Sequence, residues 1–260
     1  NGNLERTDTL NLTATNAAGT SFRICTLHLY PDQGEHLGYI SDIKIATGTG
    51  SCQYTSSFDI PTSPQGNTNS QLYMPMDNFG VYDKTGNYTL ATGGNTPGTT
   101  STTQTKFSTT SFYVNGSGYI VTKNAVPAMN SRDFTVECWM YPEQNMANSK
   151  ALITQGWNGS LGSWVVYTGT TTTLRFYGSS NNSSWNIASD FDTGIAKWTG
   201  SWKHFAMTRS GSTIRFFIDG VLKNSINYAG SFYTVDQQIA FGAGTGGSNP
   251  INHMYFEDCQ

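Results

Sequence analysis

The residues able to do covalent chemistry are few and scattered. Cleaving a glycosidic bond takes two carboxyl groups on one face of a strand, and alternate positions provide that because side chains two apart point the same way. The five glutamates are Glu5, Glu35, Glu137, Glu143 and Glu257, and none begins a Glu-x-Asp-x-Glu pattern. Glu257 and Asp258 are adjacent, so strict alternation sends them to opposite faces. The histidines, His28, His36, His204 and His253, are spread along the chain with no Gly-x-Ser-x-Gly elbow. His204 and His253 fall at strand sequences and are assigned structural hydrogen-bonding roles. No catalytic residue is assigned, and the protein is expected not to be an enzyme.

Cys25, Cys52, Cys138 and Cys259 include no CxxC pair, which argues against a structural zinc site. Three of them sit in apolar runs and are expected to be buried free thiols, with one disulfide of unassigned pairing as the alternative. What remains is recognition without bond breaking. A flat indole can stack on the CH groups of a sugar while a neighbouring amide reads its hydroxyls. Trp157-Asn158 lies in a loop, Trp185 follows the polar run 179–184, and Trp198 precedes a group of strands. Trp157, Asn158, Trp185 and Trp198 are therefore the carbohydrate-binding candidates. The competing role for each tryptophan is packing in the core or at its rim.

The elements that must position these residues are strands. Only 12% of the 260 residues are charged, against 13% aromatics and 28 glycines. Helices expose faces rich in Glu, Lys, Arg and Gln, and this chain lacks the material. Its aromatic content is too high for a disordered chain. A net charge of −3 offers no footprint for nucleic acid or an anionic membrane surface. No apolar run approaches the roughly 20 residues of a membrane span.

Phe134 to Tyr141 alternates, with Phe134, Val136, Cys138 and Met140 on one face and Thr135, Glu137, Trp139 and Tyr141 on the other. Pro142 closes it. Residues 202–207, 213–218 and 221–226 form an antiparallel meander with turns at Ser210-Gly211-Ser212 and Asp219-Gly220. The Asp-Gly pair is the strongest hairpin signal, because a two-residue turn of this kind needs positive φ at both positions. Further strands are expected at 163–167, 173–177 and 185–188. Phe134, Val136, Cys138, Ile214, Phe216 and Ile218 should be buried, with Thr135, Glu137 and Arg215 more exposed. The fold class is all-β, an antiparallel sandwich.

Residues 91–106 are expected to form a long surface loop. The better domain boundary is Pro61–Ser70, whose prolines and small polar residues build no sheet interior. Tyr39-Ile-Ser-Asp42-Ile-Lys44 repeats in Tyr255-Phe-Glu-Asp258-Cys-Gln260, 216 residues on. Upstream, Leu27-His-Leu29 parallels Ile239-Ala-Phe241. The repeat implies tandem copies: residues 1–60 the C-terminal part of a preceding domain, 61–70 a linker, and 71–260 a second copy truncated in its last strand. A chance match of six residues is the competing explanation.

The blocks Phe112–Ile120, Phe134–Pro142, Trp202–Arg209, Ile214–Gly220 and Tyr255–Asp258, in that order, resemble the laminin-G-like, concanavalin-A-like jelly-roll superfamily over about residues 71–260. Ala206 stands where the more distant pentraxins carry a cysteine. Tyr39–Gly48, Tyr54, Ser57–Thr62 and the opening Asp77–Asn87 resemble the connectors and starts of such domains in phage virion proteins. The resemblance implies a jelly-roll sandwich and a non-enzymatic structural virion protein, a tail fibre, appendage or decoration. It would be extracellular or on the virion, partnered by other subunits or by itself as a homo-oligomer (a trimer), and would grip host-surface glycans. A secreted or cell-surface bacterial lectin or adhesin is the alternative. Relatives with Ca²⁺ at the sandwich rim make Asp77 and Asp83 the nearest calcium candidates, but both fit ordinary turn roles, so neither metal nor cofactor is assigned.

Overall fold

A computed structural model describes Ser63 and residues 70–77 and 80–260. The expected remnant at 1–60 lies outside the described residues. So does the linker at 61–70, apart from Ser63 and Ser70, and so does the Tyr39–Lys44 half of the repeat.

Among the described residues there are strands and no helices. Two seven-stranded sheets carry all of them. The front sheet runs in the order β1 (Leu90–Gly93), β4 (Tyr119–Thr122), β13 (Ile239–Phe241), β6 (Lys150–Gln155), β7 (Trp164–Thr168), β8 (Thr173–Gly178) and β9 (Ala188–Ala196). The back sheet runs β12 (Val221–Asn227), β11 (Thr213–Ile218), β10 (Lys203–Ser210), β5 (Phe134–Pro142), β14 (Met254–Glu257), β3 (Ser111–Val114) and β2 (Thr99–Ser101). The architecture is the expected antiparallel sandwich. The late strands β13 and β14 return to the interior of the two sheets, which makes residues 239–257 part of the frame. No helix among the described residues is long and apolar enough to cross a membrane.

Alternation decides what enters the core. On β5, Phe134, Val136, Cys138 and Met140 face inward, and register with β10 sets Phe205 opposite Cys138 and Met207 opposite Val136. From the front sheet, Trp164, Val166, Leu174 and Phe176 meet them. Phe176 packs on Phe216 with ring centroids 5.1 Å apart. Burying one such side chain contributes about 2–3 kcal/mol. The β11–β12 turn has positive φ at Asp219 (49°) and Gly220 (72°), as the Asp-Gly pair predicts. Residues 72–74 lie beside the end of the last strand, where Met74 and Cys259 exchange backbone hydrogen bonds of 2.8 and 3.0 Å.

Three expectations fail. Residues 91–106 are not one loop, since most of β1 and all of β2 lie there as edge strands, where a single neighbour suffices for Thr-rich sequence. The strand expected at 185–188 begins only at Ala188. Before it Asn186 holds Ser180 through two hydrogen bonds, to its N–H (2.9 Å) and its hydroxyl (2.7 Å), and makes a turn there. Glu137 points away from the core as alternation demands, yet it is buried, because the outer face of the back sheet is covered at this position. It sits beside His204 on β10, Oε2 to Nε2 3.5 Å, and accepts a hydrogen bond from the Gln260 amide.

Candidate functional site

The outer face of the front sheet carries an aromatic ladder. On β7, Trp164 and Val166 face the core, so Val165 and Tyr167 face out; on β8, Leu174 and Phe176 face in, so Arg175 and Tyr177 face out. Trp157, Tyr167, Tyr177 and Trp185 follow one another at centroid separations of 5.7, 6.1 and 5.6 Å, with interplanar angles of 80°, 85° and 60°. Each ring meets the next edge to face, the arrangement the ring quadrupole favours. The ladder rests on Ala151 and Val165.

Trp157 is the buried end of the row. Its indole N–H donates to the Ser160 carbonyl (3.2 Å), closing the 157–160 turn. Thr245 N–H reaches the Trp157 carbonyl at 2.8 Å, and the Ser248 hydroxyl bonds the Asn158 carbonyl. Gly244 is required here, because a Cβ would come within 2.9 Å of the Trp157 carbonyl oxygen and 3.0 Å of its ring. Asn158 is exposed at the rim. Tyr167, Tyr177 and Trp185 are partly exposed and form the accessible surface.

Polar groups flank those rings. Asn249 donates its amide to the Tyr167 hydroxyl (2.6 Å) and to the Ser149 carbonyl (3.1 Å). Tyr177 donates its hydroxyl to Asp190 (3.0 Å). Burial, reinforced by Asp190, pushes the Tyr177 phenol up to about 12, so it remains a neutral donor at ordinary pH. Arg175 reaches Asp192 (3.3 Å), Asp190 (3.7 Å) and the Thr171 hydroxyl (3.2 Å). The patch thus combines stacking rings with amide, hydroxyl, carboxylate and guanidinium groups, and its cation and anions are matched against each other.

Of the sequence candidates, the fold brings Trp157, Asn158 and Trp185 to this one patch. Trp198 lies elsewhere, packed on the main core with its indole N–H on the Ser201 carbonyl (3.1 Å). Sequence reasoning missed Tyr167, Tyr177 and Arg175, although alternation in β7 and β8 placed them opposite the core residues. Asn249 and Asp190 carry no such signal. The calcium candidates are engaged as turn organisers. The Asp83 carboxylate accepts from Tyr73 N–H (3.0 Å), Thr85 N–H (3.0 Å), the Thr85 hydroxyl (2.7 Å) and Tyr88 N–H (2.9 Å). Asp77 accepts from the Tyr82 hydroxyl (2.7 Å).

The back sheet's outer face differs. Trp139, His204 and Glu257 are each 1% exposed. Lys106, Phe107 and Ser108 lie over Trp139 and Glu257: their three backbone N–H groups donate to the Glu257 carboxylate at 2.7 Å each. Phe107 packs edge-on against Trp139 (5.5 Å), and the Lys106 ammonium lies 4.2 Å from the centre of the Trp139 ring. At one end of this face the Tyr113 hydroxyl lies 3.0 Å from Glu143 and 2.7 Å from His253 Nδ1. Burial and Glu143 raise its phenol to about 12.

The two layers form an antiparallel jelly-roll sandwich of the concanavalin-A-like kind, with aromatic rings on the outer face of one sheet. Residues 114–253 match the laminin-G family described as the concanavalin A-like lectin/glucanases superfamily, and the chain belongs to it. No curated protein matches the chain. Among solved structures it is similar to domain 4 of AbnA, a GH43 extracellular arabinanase from Geobacillus stearothermophilus, solved with arabinotriose: 19% identity, TM-score 0.55, covering 73% of this chain and 92% of that one. The cellulose induced protein Cip1 is 15% identical, TM-score 0.48, covering 73% and 95%. The binding domain of Paraclostridial Mosquitocidal Protein 1 is 13% identical, TM-score 0.49, covering 72% of this chain and 47% of that one. These likenesses concern the fold.

Proposed function

We propose that this chain is a non-enzymatic carbohydrate-binding domain and that the outer face of β7 and β8 holds the saccharide. The carrying observation is the row Tyr167, Tyr177 and Trp185, left partly exposed on a regular sheet whose other side is core. A contiguous apolar patch on a surface marks a recognition site more than scattered single residues do. Sugar CH groups stack on the rings, while Asn249, Asp190 and Asp192 read hydroxyls at the edges. That the AbnA domain of this fold is solved with arabinotriose supports the reading.

We place the domain outside the cell, in an adhesive protein. The narrower reading is a phage appendage whose partners are further virion subunits or a trimer of this chain; it rests on the Tyr39–Thr62 connector resemblance. A secreted or surface-displayed bacterial lectin would use the same face. Titration calorimetry with neutral plant and bacterial oligosaccharides tests the binding. A measurable affinity lost in Tyr177→Ala at unchanged thermal stability supports it, and no binding by any oligosaccharide refutes it. Light scattering then separates the settings: a trimer favours the appendage, a monomer the bacterial lectin.

A further inference from the structure

We propose that Cys138 and Cys259 form an intrachain disulfide that fastens residues 258–260 to the middle of the back sheet. Past β14 the chain keeps its place between two neighbours. On one side Cys259 exchanges backbone hydrogen bonds with Met74, and on the other Gln260 exchanges them with Glu137 (2.8 and 2.9 Å). Within β14, Glu257 pairs with Trp139. Three residues, 258–260, therefore advance along β14's side while the partner advances only two, which is a β-bulge.

The bulge residue is Asp258, at φ 52°. That region is sparsely populated by side chains other than glycine, asparagine and aspartate. Its effect is to change facing. Phe256 points into the core and Glu257 out, so strict alternation would send Cys259 outward. Instead Cys259 lies in the core cluster, opposite Cys138 on β5. Both are fully buried, and their sulfurs lie 2.6 Å apart, inside the contact distance of unbonded sulfur atoms. Facing residues of adjacent antiparallel strands have Cα atoms about 4.5–5.5 Å apart, within the roughly 4.4–6.8 Å a disulfide spans.

The chemistry is thiol–disulfide exchange with a low-molecular-weight disulfide such as oxidised glutathione. One thiolate attacks the oxidant and releases one small thiol; the second attacks the mixed disulfide and releases the other. Two protons and two electrons leave the protein, and one S–S bond forms within it. Burial, then the Cys138 neighbour, holds the Cys259 thiol well above its ordinary range, so exchange is slow once the strand has docked and occurs as the strand arrives. The cross-link ties positions 121 residues apart, a long loop whose closure restrains the unfolded chain strongly.

The full chain, refolded in reduced and oxidised glutathione, is alkylated in denaturant without reduction and digested with trypsin. Peptide 133–150 should appear joined to peptide 224–260, two hydrogens lighter than their sum. Alkyl label on both cysteines overturns the proposal, as does a link from either to Cys25 or Cys52. A phosphine reductant should lower the thermal midpoint of the wild type by on the order of 10 °C. It should leave the Cys138→Ala/Cys259→Ala double variant unmoved. A wild-type midpoint indifferent to reductant overturns the fastening role.

Discussion

The two outer faces of the sandwich start from one rule and end differently. On β7 and β8 alternation places Tyr167, Arg175 and Tyr177 outward; on β5, β10 and β14 it places Trp139, His204 and Glu257 outward. The front rings remain partly exposed, whereas the back residues are sealed. The difference at Glu257 and Trp139 lies in residues 106–108, folded over them by three hydrogen bonds to one carboxylate. An outward aromatic is thus a binding candidate at Tyr167 and Tyr177 and part of a second buried layer at Trp139.

The shared core is the place to disturb both faces at once. Phe216 packs between Phe176 (5.1 Å) and Phe191 (5.9 Å) and is fully buried. Phe216→Ala should cost about 3–5 kcal/mol in denaturant unfolding, with ligand binding and stability falling together. A cost well below that would mean a register slipped by one residue.

The back face should respond in stability alone. Glu257→Ala strands three backbone N–H groups under cover, and a loss of about 2–3 kcal/mol is expected. Saccharide affinity, measured where the variant is still folded, should hold. If it falls equally, the two faces are not independent.

The front face should respond in the opposite sense. Tyr177→Ala or Trp185→Ala should weaken saccharide binding by about ten-fold or more, as for a central aromatic anchor. Trp198→Ala, away from the ladder, should leave affinity in place. Calorimetry on the three variants checks the contrast, and an equal loss in Trp198→Ala would dissolve it.

The smallest effect is titration. Tyr177 on the front and Tyr113 on the back both hold their protons to about 12, above the usual phenol value of 10.0. A pKa raised on folding gives stability that is complete below the unfolded value and is lost as pH climbs through the folded one. Stability should therefore decline between about pH 10 and 12, and Tyr177→Phe and Tyr113→Phe should each flatten part of that decline. Phenolate absorbance followed with pH, beside unfolding curves, reads both.

Much of the fold was legible. Phe134 to Met140, Ile214 to Ile218 and the Asp219-Gly220 turn carry period-2 alternation and positive-φ chemistry, which are local and need no neighbour to be read. The weak edges were not legible: β1, β2 and the polar run of β9 lack that signal, and pairing with a stronger strand holds them in the sheet. Half of the candidate site was visible in the same local terms. Trp157, Asn158 and Trp185 stand out by type, and Tyr167 and Tyr177 could have been found by counting faces outward from Trp164 and Phe176.

By itself the sequence determined the all-β class, the inward residues of its strong strands and the lack of a Glu-x-Asp-x-Glu pattern, because each follows from residue type and spacing of two. Only the tertiary structure decided which outward residues stay open. Burial of Trp139 and Glu257 depends on a distant loop crossing their face. The same holds for the union of Trp157, Tyr167, Tyr177 and Trp185 with Asn249 and Asp190, which come from five separate stretches of chain. It holds too for Cys259 facing Cys138, where one bulge at Asp258 reverses the facing that alternation would give.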